Sequence, residues 1–178
     1  MKSLFLLGIA LCCTSIATAQ NGSYYTVTLG LNAVANSADR STIPFLSQNI
    51  YTKPIFFSLE RHYAFNPDFS SSISFSMNQF KINGLGAPYK AIDVSSQFYF
   101  DDYMFDSEKL ETYVGLGGGI FMLEGVKYKT INLLGGMRYW VSDHYGINSQ
   151  LVIKRGIMQT IPEIPVNFQF NIGIVWSN

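Results

Sequence analysis

The sequence predicts an all-β fold, an eight-stranded antiparallel up-and-down transmembrane β-barrel with its apolar face outward. Three observations predict it. Apolar and polar side chains alternate with a period of two along nearly the whole chain after the first twenty residues, which is the signature of strands with two unlike faces. The polar face carries Ser, Thr, Asn, Gln and Gly rather than Lys and Glu. No later run approaches the ~18 consecutive apolar residues of a membrane helix.

Composition points the same way. Of 178 residues, 48% are hydrophobic and only 13% charged, where about 25% is usual for a soluble domain. The formal net charge is zero, so there is no electrostatic footprint for nucleic acid. The opening MKSLFLLGIALCCTSIATAQ has Lys2 as a minimal basic start, an apolar stretch from Leu4 to Cys13, and small residues at Ala17-Thr18-Ala19. These features define a secretory signal peptide over Met1–Ala19, leaving one barrel domain over Gln20–Asn178. Acylation of Cys12 or Cys13 is the rival, and it is disfavoured because Leu11 and Cys12 suit poorly the position before a lipidated cysteine. Both cysteines leave with the signal, so no disulfide staples the exported chain.

The strands follow in order. Tyr25, Val27, Leu29 and Leu31 share one face, opposite Tyr24, Thr26, Thr28 and Gly30. After a long loop, Ile55, Phe57 and Leu59 oppose Ser58, Glu60 and His62, and Asn66-Pro67-Asp68 makes a tight turn. In SSSISFSMN, serines alternate with Ile73, Phe75 and Met77; this third strand is expected to end near Phe80, with KINGLGAPYK (81–90) as the next loop. Ile92, Val94, Phe98 and Phe100 then oppose Asp93, Ser95, Gln97 and Tyr99. In the second half, Val114, Leu116, Ile120 and Met122 face away from Tyr113, Gly115, Gly117 and Gly119, and EGVKYK (124–129) is a short connection. Ile131, Leu133, Met137 and Tyr139 oppose Asn132, Gly136, Arg138 and Trp140; a Ser142-Asp143-His144 turn leads to Ile147, Leu151 and Ile153, opposed by Asn148, Gln150 and Lys154. The last strand sets Val166, Phe168, Phe170, Ile172, Ile174 and Trp176 against Asn167, Gln169, Asn171 and Gly173.

In a soluble barrel of the lipocalin type the apolar face would point inward and the outer face would carry many charges. Short polar residues instead fit a narrow interior that side chains fill. Tyr24, Tyr25, Phe65, Phe80, Phe100, Tyr139, Trp140, Tyr145 and Trp176 lie near strand ends, as interfacial aromatic girdles do. Connections after strands one, three and seven are expected to be longer than those after two and six, the asymmetry of external loops against periplasmic turns. The long connection 101–109 breaks that pattern.

On YVGLGGGIF, GGMRYWVSDHYGINSQ and FQFNIGIVW, the chain resembles the small outer-membrane β-barrel domains of Gram-negative bacteria. It is similar in plan to the membrane barrel of the outer membrane protein A family. The resemblance covers Gln20 to Asn178, and no peptidoglycan-binding domain follows, so no cell-wall tether is implied. It implies an outer-membrane location, lipid neighbours that include lipopolysaccharide, passage through the barrel-assembly machinery, and a monomer. A structural or surface-interaction role with a plugged polar lumen is expected; a narrow passive pore and a soluble secreted lipid-binding barrel are the alternatives.

No constellation for catalysis emerges. GLGGGI lacks the Lys-Ser/Thr of a phosphate loop and lies within a strand, where glycines make room for bulky interior residues. His62 and His144 are separated and have no nucleophile–His–acid spacing around them, and two histidines without cysteine make no metal site. No enzyme, cofactor or metal is therefore expected. By phase, Glu60, His62, Glu111 and Arg138 point into the lower half of the interior, and Asp93 and Lys154 into the upper half. A charge there is costly unless paired, so Arg138 is expected to pair with Glu60 or Glu111, as a plug or as a gate. One end of the barrel, with its flanks, holds Arg40, Lys53, Lys81, Lys90, Lys127, Lys129 and Arg155 against three acidic residues. The other holds six acidic residues against Lys109 alone. The basic end is expected to be external, with Lys53, Lys81, Lys90 and Lys129 at lipid phosphates.

Overall fold

The computed structural model describes residues 23–35, 56–66, 68–82, 85–101, 107, 109–123, 125–157 and 166–177. Among them are eight strands: β1 (Ser23–Ala35), β2 (Phe56–Asn66), β3 (Phe69–Ile82), β4 (Leu85–Tyr99), β5 (Leu110–Leu123), β6 (Val126–Trp140), β7 (Tyr145–Ile157) and β8 (Val166–Ser177). Each pairs antiparallel with its neighbour in sequence, and β8 pairs back onto β1 from Tyr24↔Ser177 to Ala35↔Val166. The architecture is all-β, antiparallel and up-and-down. The expected signal peptide and the loop holding Lys53 lie outside the described residues.

The two faces are sorted in the inverse of a water-soluble protein. In β7 the pattern of exposure alternates residue by residue, with Asn148, Gln150 and Lys154 buried and Ile147 and Leu151 exposed. Across the sheet Leu116, Ile131, Leu133 and Ile174 are each more than half exposed, while Thr26, Asn132 and Asn167 are at 0–1%. A closed ring leaves no edge, so every strand finds ladder partners on both sides.

Two connections are shorter than the sequence implied. The expected loop 81–90 is largely strand: β3 and β4 pair to Lys81↔Gly86 and Ile82↔Leu85, leaving only residues 83 and 84 between them. Asn83-Gly84 is the residue pair that suits a two-residue hairpin, and Gly86 and Pro88 had masked the alternation around it. The long connection expected after the third strand is therefore absent. Likewise Val126 to Lys129 belong to β6, paired with β5 as far as Leu123↔Val126, and only Glu124-Gly125 connects the two. Gly125 sits at φ 81°, in the left-handed region that any side chain would strain.

At the opposite end, the 141–144 turn is closed by Val141 N–H and Ser142 N–H donating to the Tyr145 carbonyl at 2.9 and 3.0 Å. It is tied to the last strand by Ser177 N–H on the His144 carbonyl at 3.0 Å. The 101–109 connection is pinned where it meets the barrel: Thr112 N–H donates to the Asp101 carboxylate at 3.2 Å, and Phe100 N–H to the Thr112 carbonyl at 3.0 Å.

Gly125→Ala is expected to lower the unfolding free energy by about 1–2 kcal/mol, the cost of a Cβ in left-handed backbone. Urea unfolding followed by tryptophan fluorescence measures it.

Candidate functional site: the charged interior

The period of two carries every second described side chain of the strands into one interior space. Among the described residues, the buried charges there gather in two separate clusters.

The first is centred on Lys154 of β7 and Asp93 of β4, strands that are not neighbours. Lys154 Nζ lies 2.5 Å from Asp93 Oδ2, with both side chains under a tenth exposed. Asn132 Nδ2 donates to the other carboxylate oxygen at 2.7 Å. The Tyr89 hydroxyl accepts from Asn167 Nδ2 at 2.9 Å and Gln169 Nε2 at 2.8 Å, with Lys154 Nζ at 3.4 Å. Tyr89 is fully buried and packs on Phe121, ring centroids 5.5 Å apart, and Phe121 stacks on Tyr128 at 4.8 Å. Gly119 is what lets the carboxylate sit there: a Cβ at that position would collide with Asp93 Oδ1 and come within 2.5 Å of the Ile92 carbonyl oxygen.

The second cluster surrounds Arg138 of β6, which is 1% exposed. Its Nη1 donates to Glu111 Oε2 at 2.5 Å, and Trp140 Nε1 donates to Glu111 Oε1 at 2.6 Å. Rings occupy the remaining directions. The guanidinium carbon lies 4.1 Å from the Tyr24 ring centroid and 5.6–5.7 Å from those of Tyr99, Tyr113 and Trp140. Arg138 Nε and Nη2 have no hydrogen-bond partner among the described residues, and the ring faces supply cation–π attraction in place of one. The cage is itself tied down. The Tyr24 and Tyr99 hydroxyls bond to each other, Tyr99 donates to Gln97 Oε1 at 3.1 Å, and Tyr113 donates to Asn148 Oδ1 at 2.9 Å.

Of the residues expected inside, the structure thus brings together Asp93 with Lys154 and Glu111 with Arg138. Glu60 and His62 have described backbones, in register with Thr26 and Tyr24, while their side chains lie outside the described residues. Of the expected phosphate contacts, Lys90 and Lys129 are exposed side chains near the β3–β4 and β5–β6 connections. Lys81 is described only through its backbone.

Two aromatic assignments are corrected. Tyr24 and Trp140 are not part of an outer girdle; they form the wall around Arg138. Tyr25, Tyr139 and Tyr145 do lie outside, Tyr25 stacked on Trp176 at 5.6 Å. Tyr89, expected in a loop, is the polar hub of the other cluster. The signal that could have found it is the unbroken alternation Tyr89, Ala91, Asp93 against Lys90, Ile92, Val94.

A closed antiparallel barrel that buries ion pairs and turns aliphatic side chains outward has the fold of the small bacterial outer-membrane β-barrels. Neisserial surface protein A superposes with a TM-score of 0.67 at 11% identity, over 88% of this chain and 97% of that one. OprG of Pseudomonas aeruginosa gives 0.55 at 11% identity, over 88% and 96%. Ail, the attachment invasion locus protein of Yersinia pestis, gives 0.53 at 13%, over 88% and 100%. At such identities the likeness is one of fold. No protein-family model matches the chain, and no characterised protein matches it in sequence.

Removing one partner of a buried pair leaves a lone charge, at a cost of about 3–5 kcal/mol. Arg138→Ala is expected to lower unfolding stability by that amount. Lys154→Met should be similarly harmful alone, and the double variant Lys154→Met/Asp93→Leu should recover most of the loss. Equilibrium unfolding of the three variants in one detergent measures both effects.

Proposed function

We propose that the chain is an integral protein of the bacterial outer membrane, an eight-stranded transmembrane barrel with a structural or surface-interaction role and a plugged polar interior. The observation that carries it is the inverted distribution of side chains. An outer surface of Leu, Ile, Val and Phe is a large penalty in water and none in lipid. Strand length supports the same conclusion: β1 to β8 run from 11 to 15 residues, and a tilted strand crosses a bilayer with roughly 9–11. Export through the signal peptide Met1–Ala19 and insertion by the barrel-assembly machinery complete the route, and the barrel acts as a monomer.

The basic end faces outward. Lys90 and Lys129 stand on outward-facing positions of β4 and β6, above the exposed Ile92 and Ile131. Together with Lys53 and Lys81 they meet the phosphates of the lipopolysaccharide leaflet. Two features favour a plug over a pore. Both buried cations are neutralised by carboxylates, Lys154 by Asp93 across the interior and Arg138 by Glu111 on the adjoining strand, and aromatic rings lie against each cluster. Surface interaction through the 36–55 connection, the longest between strands, would parallel the attachment role named for Ail. The proposal includes no enzymatic step.

The protein is expected in the outer-membrane fraction, extractable only with detergent and shifting in electrophoretic mobility on boiling. Recovery from the periplasm without detergent would make it a soluble lipid-binding barrel, and conductance steps in planar bilayers would make it a narrow pore. Leu116→Arg, at an outward position more than half exposed, should cost about 2–4 kcal/mol in a bilayer if it faces the midplane. Labelling of intact cells should reach 35–49 and leave 101–109 untouched.

A further inference from the structure

Beside the Asp93–Lys154 pair, which forms part of its lining, the interior holds a cavity of about 20 Å³. Its walls are unlike on two sides. Leu134 and Val152 form an apolar part, and Ser76, Asn132, Gln150 and Asn171 bring polar groups. Those four side chains are all between 1% and 4% exposed. Each has one polar atom without a hydrogen-bond partner among the described residues: Ser76 Oγ, Asn132 Oδ1, Gln150 Nε2 and Asn171 Oδ1.

Leaving a buried donor or acceptor unmatched is costly, and native interiors rarely do so. Four such atoms on side chains that line one cavity are not four independent accidents. Reorienting amides does not remove them. Asn171 Nδ2 reaches Gln150 Oε1 at 3.5 Å; turning both amides over reverses the direction of that contact and again leaves one donor and one acceptor over. Asn132 is held in its orientation because its Nδ2 serves Asp93 at 2.7 Å. Turning it would put a carbonyl oxygen against a carboxylate.

We propose that this cavity is a built hydration site holding a single long-lived water, which bridges β3, β6, β7 and β8 at the middle of the barrel. The chemistry of the walls matches water in number and in kind. Asn132 Oδ1 and Asn171 Oδ1 accept its two protons, and Gln150 Nε2 and the Ser76 hydroxyl donate to its oxygen. A buried water makes two to four such bonds. The volume exceeds the ~10–15 Å³ that one water requires and leaves no room for an organic ligand. A metal cation is disfavoured by charge, since Lys154 lines the same cavity and its ammonium already balances Asp93. The site lies apart from the Arg138 cage.

The test is water-to-protein magnetisation transfer by NMR on the folded protein in detergent micelles, with Asn171→Leu and Ser76→Ala as variants. Cross-peaks from water to the Gln150 and Asn171 side-chain amides are expected, with the sign of contacts within the protein. They should lose at least half their intensity at Gln150 in Asn171→Leu, or in Ser76→Ala should the first variant not fold. Absence of those cross-peaks in the unsubstituted protein would show a dry cavity and overturn the site. Cross-peaks that persist undiminished at Gln150 in the folded variants would place the water elsewhere and overturn it equally.

Discussion

Closure of β8 onto β1 is the constraint on which the remaining structure depends. It satisfies the backbone of every strand within the sheet and so frees the outer surface to carry a broad band of aliphatic side chains. The same closure creates a narrow interior, into which every second residue must point. Polar side chains there cannot turn to solvent. They must find one another, and the dense cross-strand network from Tyr89 to Asn171 is the outcome.

Interior volume is managed strand by strand. β5 is the thin wall of the barrel, because Gly115, Gly117 and Gly119 occupy its inward positions between Tyr113 and Phe121. The space they leave is taken by larger neighbours. Leu134 lies against Gly115, and Asp93 against Gly119. On β6, Gly136 faces the Tyr113 ring, whose hydroxyl would be 2.6 Å from an added Cβ. Bulky and minimal residues alternate across strand boundaries rather than along one strand, which is how a taper between rings and ion pairs is filled.

Strands β7 and β8 were plain in the sequence because their alternation is uninterrupted, and the inward phase of Asn148, Gln150, Lys154, Asn167 and Gln169 follows from period alone. Residues 81–90 and 126–129 were not plain. Gly86 and Pro88 weaken the strand signal locally, and the lysines at 127 and 129 look like loop solvation until the ladder overrides them. The charged clusters were only half legible. Phase puts Arg138, Glu60 and Glu111 on one face, but only the β5–β6 register sets Glu111 directly opposite Arg138. The Asp93–Lys154 contact spans strands three apart in chain order and depends on the barrel's width, which no local pattern encodes. Tyr24 and Trp140 were misplaced because girdle and interior aromatics share a composition and differ only in phase.

Tyr24 has a consequence for assembly. It comes from the first strand, yet its ring is the one nearest the guanidinium of the sixth, and its hydroxyl bonds to the fourth. At the other cluster, Asn167 and Gln169 of the last strand reach Tyr89 of the fourth. Each seal therefore borrows a piece from one side of the seam where the two ends of the chain meet. A nascent barrel with strands two to seven already paired would still lack a member of each network. Zipping the terminal strands together and completing both charged clusters are one and the same event, so loosely held interior side chains mark the unfinished molecule until the seam closes.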